Sequence, residues 1–442
     1  YFNSDADAEQ TIINPVDGKN VISTIDTNIQ QIIRKVLESF QEEMSDGPNG
    51  SKAAKNIGVV AMNPNTGEIL GMDSSDWYDL NNPRDLTPFY SQEEIDAMDD
   101  QAKFNALNNI WKNYCITDAY EPGSTFKPMT AAALESASVA GDDTYYCGGY
   151  KTVGGVRIKC AIYPETHGNL NLEGGLKHSC NVVMMDIADK MGPETFLKYQ
   201  KLFNFGSYTG IDLPGEGGGI LHKLDGMGST ELATAAFGQG FTSTMIQEAA
   251  AFSSVINGGT YYKPHVVSTI TGESGAVVES LEPVVVRQTI SREISDEVRE
   301  YLGSVMDSDG TGAKANVSGY SMGGKTGTAQ KIPRADKKYL VSFIGFAPLD
   351  NPQVVLYVVV DEPNAEIQAD SSYAQKIYKR IMTELLPYMN IFPEDPTKVE
   401  KADESDNTAG SVPDGTADEN VPNPPENENQ ENIEEKKDML SE

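Results

Sequence analysis

Apolar residues at Ile29, Ile32, Ile33, Val36, Leu37 and Phe40 recur at intervals of three and four, the spacing of one buried helix face. Asp26, Thr27 and Asn28 stand just before them as candidate N-caps. The spacing predicts an amphipathic helix through Gln41. Elsewhere the pattern favours strands. Residues 20–25 read as one, and 57–62 and 68–72 flank Asn63-Pro64-Asn65-Thr66-Gly67, a hairpin-loop composition. Three late runs, 319–330, 339–347 and 353–360, read as strands. The last holds Val354-Val355-Leu356-Tyr357-Val358-Val359-Val360, so apolar that it is expected to be central or covered on both faces. A helix over about 371–388 is expected to close the fold.

Between these, residues 145–162 read as a short hairpin about Gly154-Gly155, and 182–190 as a helix broken by Gly192-Pro193. Residues 73–113 show no clear period and read as an extended surface insertion anchored by Trp77 and Trp111. Residues 1–14 read as a linker remnant, 15–390 as one folded domain and 391–442 as a disordered tail rich in Pro, Asn, Asp and Glu.

Composition narrows the function. Over 442 residues the formal net charge is −32, which argues against nucleic acid as a partner. Sixteen acidic and four basic residues fall between Glu394 and Glu442, so the tail carries much of that charge. No run of 18 apolar residues marks a membrane span. The four cysteines (Cys115, Cys147, Cys160, Cys180) lack paired C-x-x-C spacing, and the four histidines (His167, His178, His222, His265) show no H-E-x-x-H. Structural or incidental roles are expected over metal ligation, with no metal and no cofactor.

The chemistry centres on Glu121-Pro122-Gly123-Ser124-Thr125-Phe126-Lys127-Pro128, followed by the helix-forming run Met129-Thr130-Ala131-Ala132-Ala133-Leu134. This places Ser124 at a helix N-terminus and Lys127 one turn on. A serine hydroxyl is a weak nucleophile until a base takes its proton, and a lysine serves as that base only when burial or a second cation favours the neutral amine. Ser-x-x-Lys alone is weak. Two more motifs follow it in order: Ser179-Cys180-Asn181 before a helix, and Lys325-Thr326-Gly327-Thr328 on a late strand. In this reading Ser124 attacks a peptide carbonyl and Lys127 accepts the proton. The backbone N–H groups of Ser124 and Thr328 form the oxyanion hole. Lys325, Thr326 and Thr328 receive a substrate carboxylate, and Gly327 allows close approach. Ser179 relays a proton, and Asn181 orients Lys127. Ser405-Asp406-Asn407 repeats the second motif in the tail, where nothing would hold it.

The ordered trio resembles the penicillin-binding proteins and serine β-lactamases. The phrases VISTIDTNIQ (21–30), GVVAMNPNTGEILGM (58–72), AYEPGSTFKP (119–128), GQGFT (238–242) and NGGTYYKPH (257–265) resemble the class B penicillin-binding proteins, and 147–180 resembles their division and sporulation branch. The resemblance implies an α+β, β-lactamase/transpeptidase-like fold: an antiparallel sheet flanked by helices plus an all-helical lobe. It implies peptidoglycan D,D-transpeptidation, in which stem peptides ending in D-Ala-D-Ala acylate Ser124, an amine on a neighbouring stem takes the acyl group, and β-lactams trap the serine. A D,D-carboxypeptidase or a non-catalytic β-lactam sensor would use the same motifs. It further implies an extracytoplasmic site, a membrane anchor outside this chain, and a membrane glycosyltransferase with divisome or elongation proteins as partners.

Cys180 is a departure. Outside the membrane thiols oxidise, and two readings stand. Cys147, Cys160 and Cys180 are reduced packing residues, or Cys180 bonds Cys160 or Cys147 and makes activity redox-dependent. In the simplest hairpin register Cys160 faces Gly149, not Cys147.

Overall fold

The computed structural model describes residues 18–48, 50–136 and 144–398. The expected linker at 1–14, the acidic tail beyond 398 and Ser405-Asp406-Asn407 lie outside the described residues. The main elements in chain order are α1 (Thr27–Met44), β1 (Ala54–Met62), β2 (Ile69–Ser74), α2 (Lys127–Ser136), α3 (Asn181–Leu202), α4 (Met245–Ile256), β3 (Gly323–Gln330), β4 (Tyr339–Ala347), β5 (Val354–Pro363) and α5 (Ser372–Tyr388).

The five strands form one antiparallel sheet in the order β3-β4-β5-β1-β2. β5 is central, as its apolar run requires. Its side chains alternate between two cores. Val354, Leu356, Val358 and Val360 pack with α1 and α5 on one face. Val355, Tyr357 and Val359 face a larger core built with α2, α3 and α4. Both faces of the sheet are thus covered, giving the expected α+β arrangement with a helical lobe on one side.

α1 is held as its sequence suggests. The Asp26 carboxylate accepts from the N–H groups of Asn28 and Ile29, and Ile29, Ile33, Val36, Leu37 and Phe40 are buried. α3 breaks at Gly192, whose φ of 73° is left-handed, with Pro193 next. Such a φ suits glycine, and proline cannot supply the next backbone donor.

Two expectations need correction. Residues 73–113 are not irregular throughout: they include helices Gln92–Ala97 and Asp100–Ile110. Leu86, Ala106 and Ile110 pack as their small core, while Trp77 and Trp111 are 53% and 38% exposed. Trp77 stacks instead under the Arg34 guanidinium, and the Trp111 indole donates to Pro83 O at 2.6 Å. The packed chain also runs past residue 390. Ile391 is buried, and the Asp395 N–H donates to Gly319 O.

Candidate active site

Gly123–Phe126 forms one 3₁₀ turn, closed by the Lys127 N–H donating to Ser124 O, and α2 starts at Lys127. Residues three apart eclipse in such a turn, so Ser124 and Lys127 share a face. Ser124 is half-buried and Lys127 fully buried.

The turn is clamped by glycines that leave no room for a side chain. Gly123 has φ 63°, and its N–H donates to Gly238 O at 2.9 Å. A Cβ on Gly123 would lie 2.7 Å from Thr328 O. Thr328 therefore aims its carbonyl at the Ser124 turn. In an antiparallel strand the N–H and C=O of one residue point the same way, so its N–H faces that turn too. A Cβ on Gly327 would lie 2.2 Å from Ser342 Oγ and 2.9 Å from Thr125 Cγ2. Gly327 thus allows β3, one of the sheet's two edge strands, to lie against the turn.

Ser179 is where the three motifs meet. Lys127 Nζ donates to Ser179 O at 2.5 Å, to Ser179 Oγ at 3.0 Å and to Asn181 Oδ1 at 2.8 Å. Lys325 Nζ, from β3, donates to Ser179 Oγ at 2.9 Å and to Thr326 Oγ1 at 3.2 Å. Two buried lysines from opposite sides thus converge on one hydroxyl. Ser179 sits at φ 53°, a region that costs a non-glycine residue roughly 1 kcal/mol or more. It follows the short helix Leu172–Lys177, and the Cys180 N–H bonds Gly175 O. Asn181 then opens α3. Thr328 Oγ1 is buried with no partner among the described residues.

The model of the penicillin binding protein transpeptidase domain matches residues 57–383. The chain belongs to this family. It is 40% identical over 387 residues to stage V sporulation protein D of Bacillus subtilis, covering 86% of this chain and 55% of that protein. A probable peptidoglycan D,D-transpeptidase, PenA of Neisseria flavescens, is 29% identical, with 86% of each chain covered. Penicillin-binding protein 3 from Mycobacterium tuberculosis, solved in complex with aztreonam, superposes with a TM-score of 0.71 at 26% identity, over 89% of this chain and 84% of that one. The apo transpeptidase domain of Burkholderia pseudomallei penicillin-binding protein 3 gives 0.67 at 25% identity, over 85% and 98%. The chain spans about half the length of stage V sporulation protein D and of the PbpB proteins of Mycolicibacterium smegmatis and Mycobacterium tuberculosis, which it also matches.

The transpeptidase domain also holds groupings that the sequence did not announce. Arg334, just beyond β3, pairs with Glu121 at 2.8 Å, and Glu121 also accepts from the Gly240 N–H. Burial pushes the Glu121 carboxyl up, against the pull of Arg334. The only advance signal was the acidic residue before Pro122.

The second grouping overturns the picture of scattered cysteines and histidines. The ligand atoms of Cys147, Cys160, His167 and Cys180 all lie within 4.8 Å of one another. Cys160 does face Gly149, as expected from the hairpin: its N–H donates to Gly149 O. Cys147 arrives by another route, pairing in a two-stranded ladder with Gly168. Hydrogen bonds from Cys147, then Cys180, hold the Cys160 thiol well below its ordinary range. Burial opposes charge on His167, yet the two sulfurs of Cys147 and Cys160 push it up to about 9. All four cysteines of the chain are unbridged, and Cys115 lies apart, its thiol donating to Asp73 O.

Proposed function

We propose that this chain is the catalytic domain of a peptidoglycan D,D-transpeptidase of the division and sporulation branch, acting through an acyl-serine. The observation that carries the reading is the approach of Lys127 and Lys325 to Ser179 Oγ at 3.0 and 2.9 Å. It joins the three motifs into one pocket beside the Ser124 turn.

In this reading Lys127, as the neutral amine, takes the Ser124 proton. Two buried cations on one hydroxyl disfavour double charge, so the pair favours one neutral amine, which this reading assigns to Lys127. Ser124 Oγ attacks the carbonyl carbon of the penultimate D-Ala. The oxyanion is met by the Ser124 and Thr328 backbone N–H groups. The C–N bond breaks, and the terminal D-Ala leaves with a proton passed through Ser179. An amine from a neighbouring stem peptide then attacks the ester, and Ser124 recovers its proton. Asn181 holds Lys127 in place throughout. Lys325, Thr326 and the Thr328 hydroxyl receive the substrate carboxylate, and β3, at an edge of the sheet, offers backbone groups to an extended peptide.

β-Lactams are expected to acylate the same serine. Stem peptides lie outside the cytoplasm, and the proposal puts this domain there, with a membrane glycosyltransferase and divisome proteins as expected partners. No described helix is long and apolar enough to cross a membrane.

The test is mass spectrometry of the chain after exposure to a penicillin. One adduct on the peptide bearing Ser124, lost in Ser124→Ala, is expected; an adduct elsewhere overturns the reading. With a donor ending in D-Ala-D-Ala and an amine acceptor, the cross-linked product and free D-Ala are expected. Hydrolysis alone would make the domain a carboxypeptidase, and acylation by penicillin with no turnover of the donor would make it a sensor.

A further inference from the structure

Three buried thiols and an imidazole converge directly behind Asn181. Cys160 Sγ lies 3.7 Å from Cys180 Sγ and 3.7 Å from His167 Nδ1. With Zn–S near 2.3 Å and Zn–N near 2.0–2.1 Å, a tetrahedral site has S···S edges of about 3.8 Å and S···N edges of about 3.6 Å. Those edges match these two separations, and all four ligand atoms lie within 4.8 Å of one another. A disulfide fits less well: it needs sulfurs about 2.05 Å apart and would leave His167 Nδ1 with no role in the cluster.

We infer that Cys147, Cys160, His167 and Cys180 form a closed tetrahedral zinc site that staples the 145–168 segment to the start of α3. Soft thiolate donors with one imidazole select zinc over harder cations. Four protein ligands leave no open coordination position, so the metal is structural. The bookkeeping is direct. One Zn²⁺ forms three Zn–S bonds and one Zn–N bond, three thiol protons leave, and nothing is oxidised.

The site is wired to the pocket. The Asn181 N–H donates to Cys160 Sγ at 3.4 Å, its amide nitrogen donates to Lys159 O at 3.4 Å, and its Oδ1 accepts from Lys127. A metal that fixes Cys160 and Cys180 therefore fixes Asn181 from behind and, through it, Lys127. Cys147, Cys160, His167 and Cys180 would be structural ligands, and Asn181 the residue positioned.

The test uses the full chain purified under reducing conditions. Elemental analysis is expected to find about one zinc per chain. Replacing zinc with Co²⁺ is expected to give the visible bands of a tetrahedral ion and a thiolate charge-transfer band. His167→Ala and Cys180→Ala are expected to weaken zinc binding by about tenfold or more. Cys115→Ser, which removes the cysteine outside the cluster, is expected to keep the metal. Circular dichroism separates a lost ligand from a lost fold, and the cobalt titration of the unmutated chain stands whatever the variants do. Stripping the metal is expected to slow penicillin acylation, with recovery on adding zinc. Absence of bound metal together with absence of a cobalt band in the reduced chain would overturn the site, as would a Cys160–Cys180 disulfide in the reduced preparation. Unchanged acylation after stripping would overturn the link to Asn181. Metal content is read without any penicillin, so this inference and the acyl-serine reading fail separately.

Discussion

Arg334 reaches back from beyond β3 to pair with Glu121, three residues before Ser124, with each side chain only 9% exposed. The pair ties the strand bearing Lys325 to the turn bearing Ser124. Removing one partner of a buried pair leaves the other uncompensated, which costs about 3–5 kcal/mol. Arg334→Ala is expected to lower stability towards that size, measured by urea unfolding, and to slow acylation. Replacing both residues with Met is expected to restore most of the stability but not the acylation rate. Recovery of both would mean that the pair does not position the site.

Gly327 is where β3 meets the Ser124 turn. A methyl group there would run into Ser342 Oγ and Thr125 Cγ2. Gly327→Ala is expected to cost about 1–3 kcal/mol and to cut the penicillin acylation rate at least about tenfold, since one ångström of displacement is enough to matter. Adding Ser342→Gly removes the closer obstacle and is expected to restore part of the rate. A Gly327→Ala chain that acylates normally would refute the clamp.

Ser179 joins a strained backbone to a hydroxyl that two lysines share. Ser179→Ala and Ser179→Gly both delete the acceptor shared by Lys127 and Lys325. Only Gly relieves the φ of 53°. The two variants are expected to be equally slow in acylation, with the Gly variant about 1 kcal/mol more stable. Equal stability in thermal unfolding would remove the strain argument.

Glu248 lies wholly buried on α4. Ser243 Oγ donates to one of its oxygens, and the other has no partner among the described residues. Burial pushes its carboxyl up to about 8 from an ordinary 4.5. Between those values the folded chain holds a proton that the unfolded chain has lost, so its contribution to stability falls as pH rises from about 4.5 through 8. Glu248→Gln is expected to flatten that fall and to gain up to a few kcal/mol near pH 9. Parallel unfolding curves for the two chains across this range would contradict the burial of a neutral acid.

The three motifs were legible because each is short and contiguous, and the spacing of its residues in sequence fixes their spacing on a turn or strand. Ser124 and Lys127 needed only one helical turn. The Val354–Val360 run declared itself central because no polar residue interrupts it. What escaped depends on pairing between distant segments. His167 reaches the cysteines only because Gly168 pairs with Cys147, and no local periodicity encodes that ladder. Arg334 finds Glu121 across 213 residues. Trp77 and Trp111 misled for a different reason: size suggested anchors, but smaller Leu86, Ala106 and Ile110 fill the space between the two short helices.

The alternation along β5 has one more consequence. Because odd and even positions line different compartments, deleting a single residue there would swap the facing of every position beyond the cut, disturbing both linings at once. The strand works as a shared wall: its length and phase are common property of the two halves, and neither half can be remodelled there without consulting the other.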